Sequence, residues 1–378
     1  MKIFFYGPFG GHDGYCVSAR AYVEMLEANG HELICRSVAN QEGVKAYGPE
    51  WIARTTREDT GDYDLAIVQK APWNQDGVCD QIHLLPEFAQ AQKRAWITMF
   101  ETSRWPSEWF ECLRHFDIIM TPTEWQKRAA TAIMQEHPGI HVVPIPIEAE
   151  PAAPRTEGTY IFYSEFSRMT HRKGLDILLR AYFQAFSETD DVVLRLKIPG
   201  HHPPALNEFI RELEKAKACF AWKKLPKIEV NRGWLTDSQM DGMYNDIDCY
   251  VEASRGEGFS IPLAKAAVRG INVIYPRVTD PSDVGAEYHI VSWGDDYAVA
   301  FSTSADLVPV ITDEYAAHGM KIDTTGMRWL ETNITGLSDT LRLLFKQGRN
   351  ISSNKVIEYT RAKLSPNSVY ERFMEAVK

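Results

Sequence analysis

A chain of 378 residues with 44% apolar side chains is long for one hydrophobic core and suits two domains, each large enough to fold around its own sheet. Its 41 Lys and Arg against 51 Asp and Glu give a formal charge of −10, which favours solubility and argues against a protein that coats nucleic acid, while leaving room for a local basic groove. No stretch approaches the ~20 consecutive apolar residues that a membrane span needs, and Met1-Lys2-Ile3-Phe4-Phe5 leads into a strand rather than a secretion signal, so a cytoplasmic protein is expected.

The six cysteines, Cys16, Cys35, Cys79, Cys112, Cys219 and Cys249, form no CxxC pair and are expected to be buried, reduced thiols. His201 and His202 lack a Cys or HxxxH partner, so no metal site is expected. Residues 3–6 form a short apolar run, followed by the flexible loop Gly7-Pro8-Phe9-Gly10-Gly11-His12-Asp13-Gly14. Ala19, Tyr22, Val23 and Leu26 then recur at helical spacing until Asn29-Gly30 ends the helix ahead of a strand at 31–35. This is a βαβ unit in which Gly10 and Gly11 allow close backbone approach. Its glycines miss G-x-G-x-x-G and its second strand runs into Arg36 rather than an acid, so it matches a NAD fingerprint poorly and leaves NADP an outside reading.

Core strands are predicted at 64–69 and 95–100, with a polar loop around Trp73-Asn74-Gln75-Asp76-Gly77 between them. The second of these runs into Glu101-Thr102-Ser103-Arg104-Trp105, then a strand at 116–120 and Thr121-Pro122-Thr123-Glu124-Trp125. Glu101 is either a functional carboxylate or the partner of a loop arginine such as Arg104. A last strand is predicted at 141–147, after which Pro144, Pro146, Pro151 and Pro154 stiffen a linker and set a domain boundary near Glu150.

A second α/β series starts with a strand at 160–163. The loop Ser167-Arg168-Met169-Thr170-His171-Arg172-Lys173-Gly174 precedes an amphipathic helix with Leu175, Leu178, Leu179, Tyr182, Phe183 and Phe186 on one face. Strands at 192–198 and 228–230 flank a lysine-rich helix, and Thr236 or Asp237 caps the next one. The stretch VEASRGEGFSIPLAKAAVRG, residues 251–270, reads as the end of a buried strand, a glycine-hinged loop and a helix opening on Pro262. Such a helix points its free amides at the loop, on the side of an open sheet where ligands bind and anions are favoured, so a phosphate-bearing ligand is expected. Alone, Glu257 reads as a solvated turn more readily than as a site. A strand at 272–276 and the loop Thr279-Asp280-Pro281-Ser282-Asp283-Val284-Gly285 follow. Helical spacing returns at Leu337, Leu341, Leu344 and Phe345, and again over 356–378 with Val369, Phe373 and Val377 on one face.

The EGFxxPLxxA pattern at Glu257–Ala266, set after a strand and before a small-residue helix, resembles the donor-site signature of glycosyltransferase family four, the retaining glycosyl transferases group 1. GGHDGYxxSARAYxxxLxxxGHE resembles the family's N-terminal glycine loop. The Glu101 to Trp125 segment resembles its N-terminal-domain pattern, and Arg168 with Lys173 resembles its GR…KG pair, with Ser167 in place of glycine. The resemblance implies an α/β GT-B fold of two Rossmann-like domains facing a cleft: an acceptor domain over 1–150, a nucleotide-sugar donor domain over 151–355, and a helix at 356–378 returning to the first domain.

It further implies transfer, with retention, from a nucleotide-diphosphate sugar to a hydroxyl of a glycan, lipid or small molecule, with no metal or other cofactor. On this reading Glu257, Arg168 and Lys173 are the catalytic residues. The same three join Gly10, Gly11, Gly258, Phe259, Ser260 and Lys265 in donor binding, and His12 and Glu101 lie on the acceptor or sugar side. The chemical reason is that sugar–phosphate cleavage leaves a diphosphate whose growing charge needs guanidinium, ammonium and helix-end amides.

Two departures stand out. Lys265 occupies the position of a family glutamate that touches the nucleotide ribose, and lysine is donor-only; the loop at 279–285 departs from the family, which often has glycines there. Lys265 therefore holds the donor differently, snorkels off the helix, or marks a degraded site in a non-catalytic nucleotide-sugar-binding or assembly protein. Modification of a DNA base, as some viral glycosyltransferases perform, is a third reading that the acidic balance opposes.

Overall fold

The computed structural model describes residues 1–38, 44, 48–58, 61–72, 81–134, 137, 139–153, 155–200, 203–233, 235–279, 287–289, 300–311, 322–349 and 354–378. The predicted loop at Trp73 to Gly77, the His201-His202 pair and the loop beyond Thr279 lie outside them. The chain divides into two units. One comprises Met1–Glu148, Val310–Met327 and Ala362–Lys378, and the other Ala149–Pro309 and Arg328–Arg361.

The first unit is built on strands β1 (Lys2–Gly7), β2 (Glu32–Ser37), β3 (Leu65–Gln69), β4 (Lys93–Ile97), β5 (Ile118–Thr121) and β6 (Ile140–Val142), in the order β2-β1-β3-β4-β5-β6. Every pairing is parallel, so each connection must cross over, and the Gly14–Ala28 and Glu124–Thr131 helices make two of those crossings. Covered on both faces, β3 is buried along its whole length and carries the continuous run LAIVQ rather than an alternating one. β6 is shorter than predicted because Pro144 and Pro146 have no amide hydrogen to extend the ladder. The predicted terminal segment is two helices, Asn354–Leu364 and Pro366–Val377, broken where Pro366 starts a new one capped by Ser365. In the second of these, Val369 and Phe373 are fully buried, Tyr370 hydroxyl lies 2.8 Å from His31 Nε2, and Lys93 Nζ donates to Val377 O at 2.8 Å.

The second unit holds β7 (Tyr160–Glu165), β8 (Val192–Lys197), β9 (Lys227–Asn231), β10 (Cys249–Val251), β11 (Asn272–Thr279), β12 (Glu287–His289), β13 (Ala300–Pro309) and β14 (Arg328–Thr332). Their order is β14-β13-β11-β10-β7-β8-β9, with β12 on β11. The core strands run parallel, and β12 and β14 pair antiparallel. Alternation along β7 feeds two cores. Phe162 joins Leu178 and Tyr182 of the Leu175–Ala185 helix and Phe186 just beyond it, whereas Tyr163 packs with Tyr250, Leu263 and Ala266 beneath the Ile261–Val268 helix. The strand order reverses at β7, with β8 on one side and β10 on the other. The loops leaving the carboxyl ends of β7 and β10 therefore diverge at a topological switch point, where an open parallel sheet offers its ligand crevice.

Cys16, Cys35 and Cys249 are buried free thiols. Two cysteines depart from the expected pattern: Cys219 is free but exposed, and Cys112 is disulfide-bonded. No helix among the described residues is long and apolar enough to cross a membrane.

Candidate functional site

The loops after β7 and β10 are joined by hydrogen bonds to backbone carbonyls as well as by ion pairs. Arg255 N donates to Arg172 O at 2.6 Å, Ser254 Oγ donates to the same carbonyl at 3.1 Å, and Arg172 Nη1 donates to Gly256 O at 2.5 Å. Gly174 sits at φ 68, where a Cβ would stand 1.9 Å from Ala253 O, so both the dihedral and the space require glycine. Beneath this contact lies Arg255, whose side chain is 2% exposed. Its guanidinium reaches Asp176 Oδ1 and Oδ2 at 2.9 Å each, Glu331 Oε2 at 2.5 Å and Oε1 at 3.0 Å, and His171 O at 2.6 Å. Burial alone raises the Asp176 carboxyl, and the bidentate guanidinium outweighs that and holds it below its ordinary value.

On this scaffold two buried glutamates, five residues apart, are driven in opposite directions. Glu257 lies 2.5 Å from Lys173 Nζ and 3.5 Å from Arg172 Nη1. Burial pushes its carboxyl up, but Lys173 and then Arg172 pull it further down, so it stays ionised. Glu252 accepts from Ser260 Oγ at 2.6 Å and from Ser254 N at 3.0 Å. Burial first, and the charge of Glu257 second, push its carboxyl up to about 7. A third carboxylate, Glu165 at the end of β7, accepts from the Tyr163 and Tyr244 hydroxyls at 3.2 Å each, and burial raises it too. Paired carboxyls whose surroundings separate their pKa values are a recurrent feature of functional sites.

The other second-unit residues singled out from the sequence lie on the same loops or on the helix that follows. Lys173 belongs to it, whereas Arg168 is exposed on the same loop and has no partner among the described residues. Gly258 continues the buried loop, Phe259 is 2% exposed, and Ser260 precedes the Ile261–Val268 helix in a left-handed conformation. Lys265 Nζ donates to Asp241 Oδ1 at 3.1 Å, and Arg269 Nη2 reaches the same oxygen at 3.1 Å, so the lysine is engaged by the Asp237–Gly242 helix. That helix is capped by Thr236, in a capping box with Gln239. Sequence reasoning missed the parts played by Glu252, Arg255, Asp176 and Arg172. The available signal was an acid directly after an apolar strand and a second cation beside Lys173.

In the first unit, Gly10 and Gly11 lie on the loop after β1. Arg20 on the following helix is 7% exposed and donates from Nη1 to Phe9 O at 2.9 Å and Gly11 O at 2.8 Å. Asp13 caps that helix by accepting from Tyr15 N and Cys16 N. Tyr15 hydroxyl reaches Met99 O at 2.8 Å, tying the helix to the chain just after β4. Burial raises the Tyr15 phenol, and the charge of nearby Glu101 adds to that. Glu101 itself is half-buried, and His12 is exposed. Gln126 Oε1 accepts from Phe100 N at 2.7 Å and Trp105 Nε1 at 2.8 Å, bracing the turn that carries Glu101.

Residues 159–304 match the family model of the Glycosyl transferases group 1. No curated protein matches the chain by sequence. Among solved structures, sucrose-phosphate synthase from Thermosynechococcus elongatus superposes with a TM-score of 0.64 at 10% identity, over 99% of this chain and 98% of that one. A glycosyltransferase from Rickettsia africae ESF-5 gives 0.62 at 14% identity, over 100% and 97%. A mutant of S. aureus TarM, in complex with fondaparinux, alpha-GlcNAc-glycerol and UDP, gives 0.53 at 12% identity over 83% of this chain; the chain spans about half, 55%, of its length. The chain carries a Glycosyl transferases group 1 domain, and its α/β fold is that of the GT-B glycosyltransferases.

Proposed function

We propose that this group 1 domain makes the chain a retaining glycosyltransferase, which moves a sugar from a nucleotide-diphosphate sugar to an acceptor hydroxyl. The observation that carries the reading is the meeting of Glu257 with Lys173 and Arg172 at the β7/β10 switch point, inside the segment that matches the family. As the bond from the anomeric carbon to the diphosphate breaks, the electron pair leaves with the phosphate oxygen. Lys173, Arg172 and the exposed Arg168 meet that charge together with the amides around Phe259 and Ser260. Glu257 bonds the sugar's hydroxyls and stabilises the oxocarbenium-like transition state. Side-chain cations carry the diphosphate's charge on this reading, and no metal ion is required. The UDP and alpha-GlcNAc-glycerol held by the TarM mutant support a nucleotide-sugar donor and a hydroxyl acceptor.

The pairing of Lys265 with Asp241 favours a second reading, a nucleotide-sugar-binding or assembly protein without turnover. A panel of nucleotide sugars and free nucleoside diphosphates in thermal-shift and transfer assays tests both, since a ligand of the folded state raises its melting temperature by mass action. The transferase reading expects one donor to raise Tm and to be turned over, with both effects reduced in Arg168→Ala. Stabilisation without turnover selects the second reading, and wild-type transfer by Arg168→Ala removes Arg168 from the diphosphate site.

A further inference from the structure

The start of the Ile261–Val268 helix is held in an uncommon way. Ser260 is a non-glycine residue at φ 56, ψ 73, a left-handed conformation that costs roughly 1–2 kcal/mol and persists only where its surroundings fix it. A serine before a helix ordinarily turns its hydroxyl onto a first-turn amide. Ser260 makes no such cap, and Pro262 has no amide hydrogen. Its Oγ donates instead to Glu252 Oε2 at 2.6 Å, while Glu252 Oε1 accepts from Ser254 N at 3.0 Å. Glu252 is 6% exposed, and its own amide is pinned to Ile274 O on β11 at 2.8 Å. One buried carboxylate thus ties both ends of the loop to the sheet and leaves the amides of Ile261 and Leu263 without a side-chain cap.

We propose that Glu252 is the positioning residue of the donor loop: it holds Ser260 so that the first-turn amides face the diphosphate, and it takes up a proton when the diphosphate draws Lys173 to itself. The proposal rests on the donor reading above. Among the described residues, the charged and titratable groups that act electrostatically on Glu252 are Lys173 from the His171–Lys173 turn, Glu257 from its own loop and Tyr250 from β10. Lys173 is the cation that the two buried glutamates share. An anion that engages Lys173 withdraws this counter-charge and adds negative charge beside Glu252, and both changes favour the neutral acid. The proton comes from solvent. Once protonated, Glu252 can donate to Ser260 Oγ in place of accepting from it, so the tie survives with its roles exchanged.

The test is calorimetric titration with UDP near pH 7, in two buffers of different ionisation enthalpy. The wild type is expected to show a buffer-dependent heat reporting uptake of a fraction of a proton. Glu252→Gln keeps an acceptor but cannot titrate, so it is expected to bind UDP within about threefold of the wild type with that uptake abolished. Ser260→Ala and Glu252→Ala break the tie and are expected to weaken UDP about tenfold.

Equal uptake in Glu252→Gln, UDP binding by the wild type with no uptake, or Ser260→Ala binding like the wild type overturns the proposal. A ligand-free arm separates it from its premise. The Glu252 carboxyl is raised from 4.5 to about 7, so its contribution is fully present below the lower value and is lost as pH rises through the upper one. Wild-type Tm should therefore fall across that window relative to Glu252→Gln. Parallel Tm curves overturn the proposal even without ligand, whereas failure of UDP to bind a wild type whose curve diverges as expected breaks the donor reading alone.

Discussion

The loop after β10 and the loop after β1 both leave the carboxyl ends of their sheets at a switch point, the first from the neighbour of the reversing strand β7 and the second from the reversing strand itself, yet they are held by different means. The β10 loop is fixed by charge. Arg255 spans Asp176 and Glu331, while Lys173 and Arg172 meet Glu257, all largely buried except the Glu331 side chain, which is 41% exposed. The β1 loop is fixed by carbonyls. Arg20 reaches two backbone oxygens, and His12 on the loop is exposed. A loop held by buried ion pairs keeps its geometry at the risk of a large loss if one partner goes, whereas a loop held through its backbone tolerates changes in the residues it displays.

Arg255→Ala leaves Asp176 and Glu331 facing each other without their cation, and should cost about 3–5 kcal/mol in denaturant unfolding. It should also raise the Asp176 carboxyl toward and beyond its ordinary value, which NMR titration would register. Arg20→Ala should cost less, about 1–3 kcal/mol, because two carbonyls rather than two carboxylates lose their donor. Equal losses in the two variants would erase the distinction between the loops. The smallest effect is expected at Lys265→Glu. Its partner Asp241 is 46% exposed and keeps Arg269, so unfolding stability should move by no more than about 1 kcal/mol. Donor affinity is the informative readout there: tighter binding means that a carboxylate suits the ribose pocket, and lost binding means that the Lys265–Asp241 pair shapes it.

Much of the architecture was legible because it is local. Leucines at helical spacing gave the Leu175–Ala185 helix, and an apolar strand, a glycine hinge and a proline gave the unit that ends at Gly270. The GT-B resemblance rested on motifs of this kind, and the family model and solved structures agree with it. What escaped was long-range partner choice. Arg255 meets Asp176 and Glu331 across 79 and 76 residues, and no periodicity announces such pairs. Arg168 and Arg172 are chemically alike in the sequence. The single turn His171–Lys173 and the glycine after it decide which of them faces Glu257. Glu252 was hidden differently, since it directly follows the strand that makes its burial, and a carboxylate there has no local mark of its partner Ser260. The assignment of Val310–Met327 to the first unit likewise has no signature in composition.

The make-up of the first unit also sets the order in which it can be completed. Its first 148 residues emerge early in synthesis, but the Pro366–Val377 helix that buries Val369 and Phe373 and carries Tyr370 to His31 is made more than two hundred residues later. A nascent first unit therefore waits, with that apolar seat uncovered, while the whole second unit is translated and is free to fold. Vectorial folding from the N-terminus, the usual habit of multidomain chains, is closed to this one: the unit that starts first finishes last.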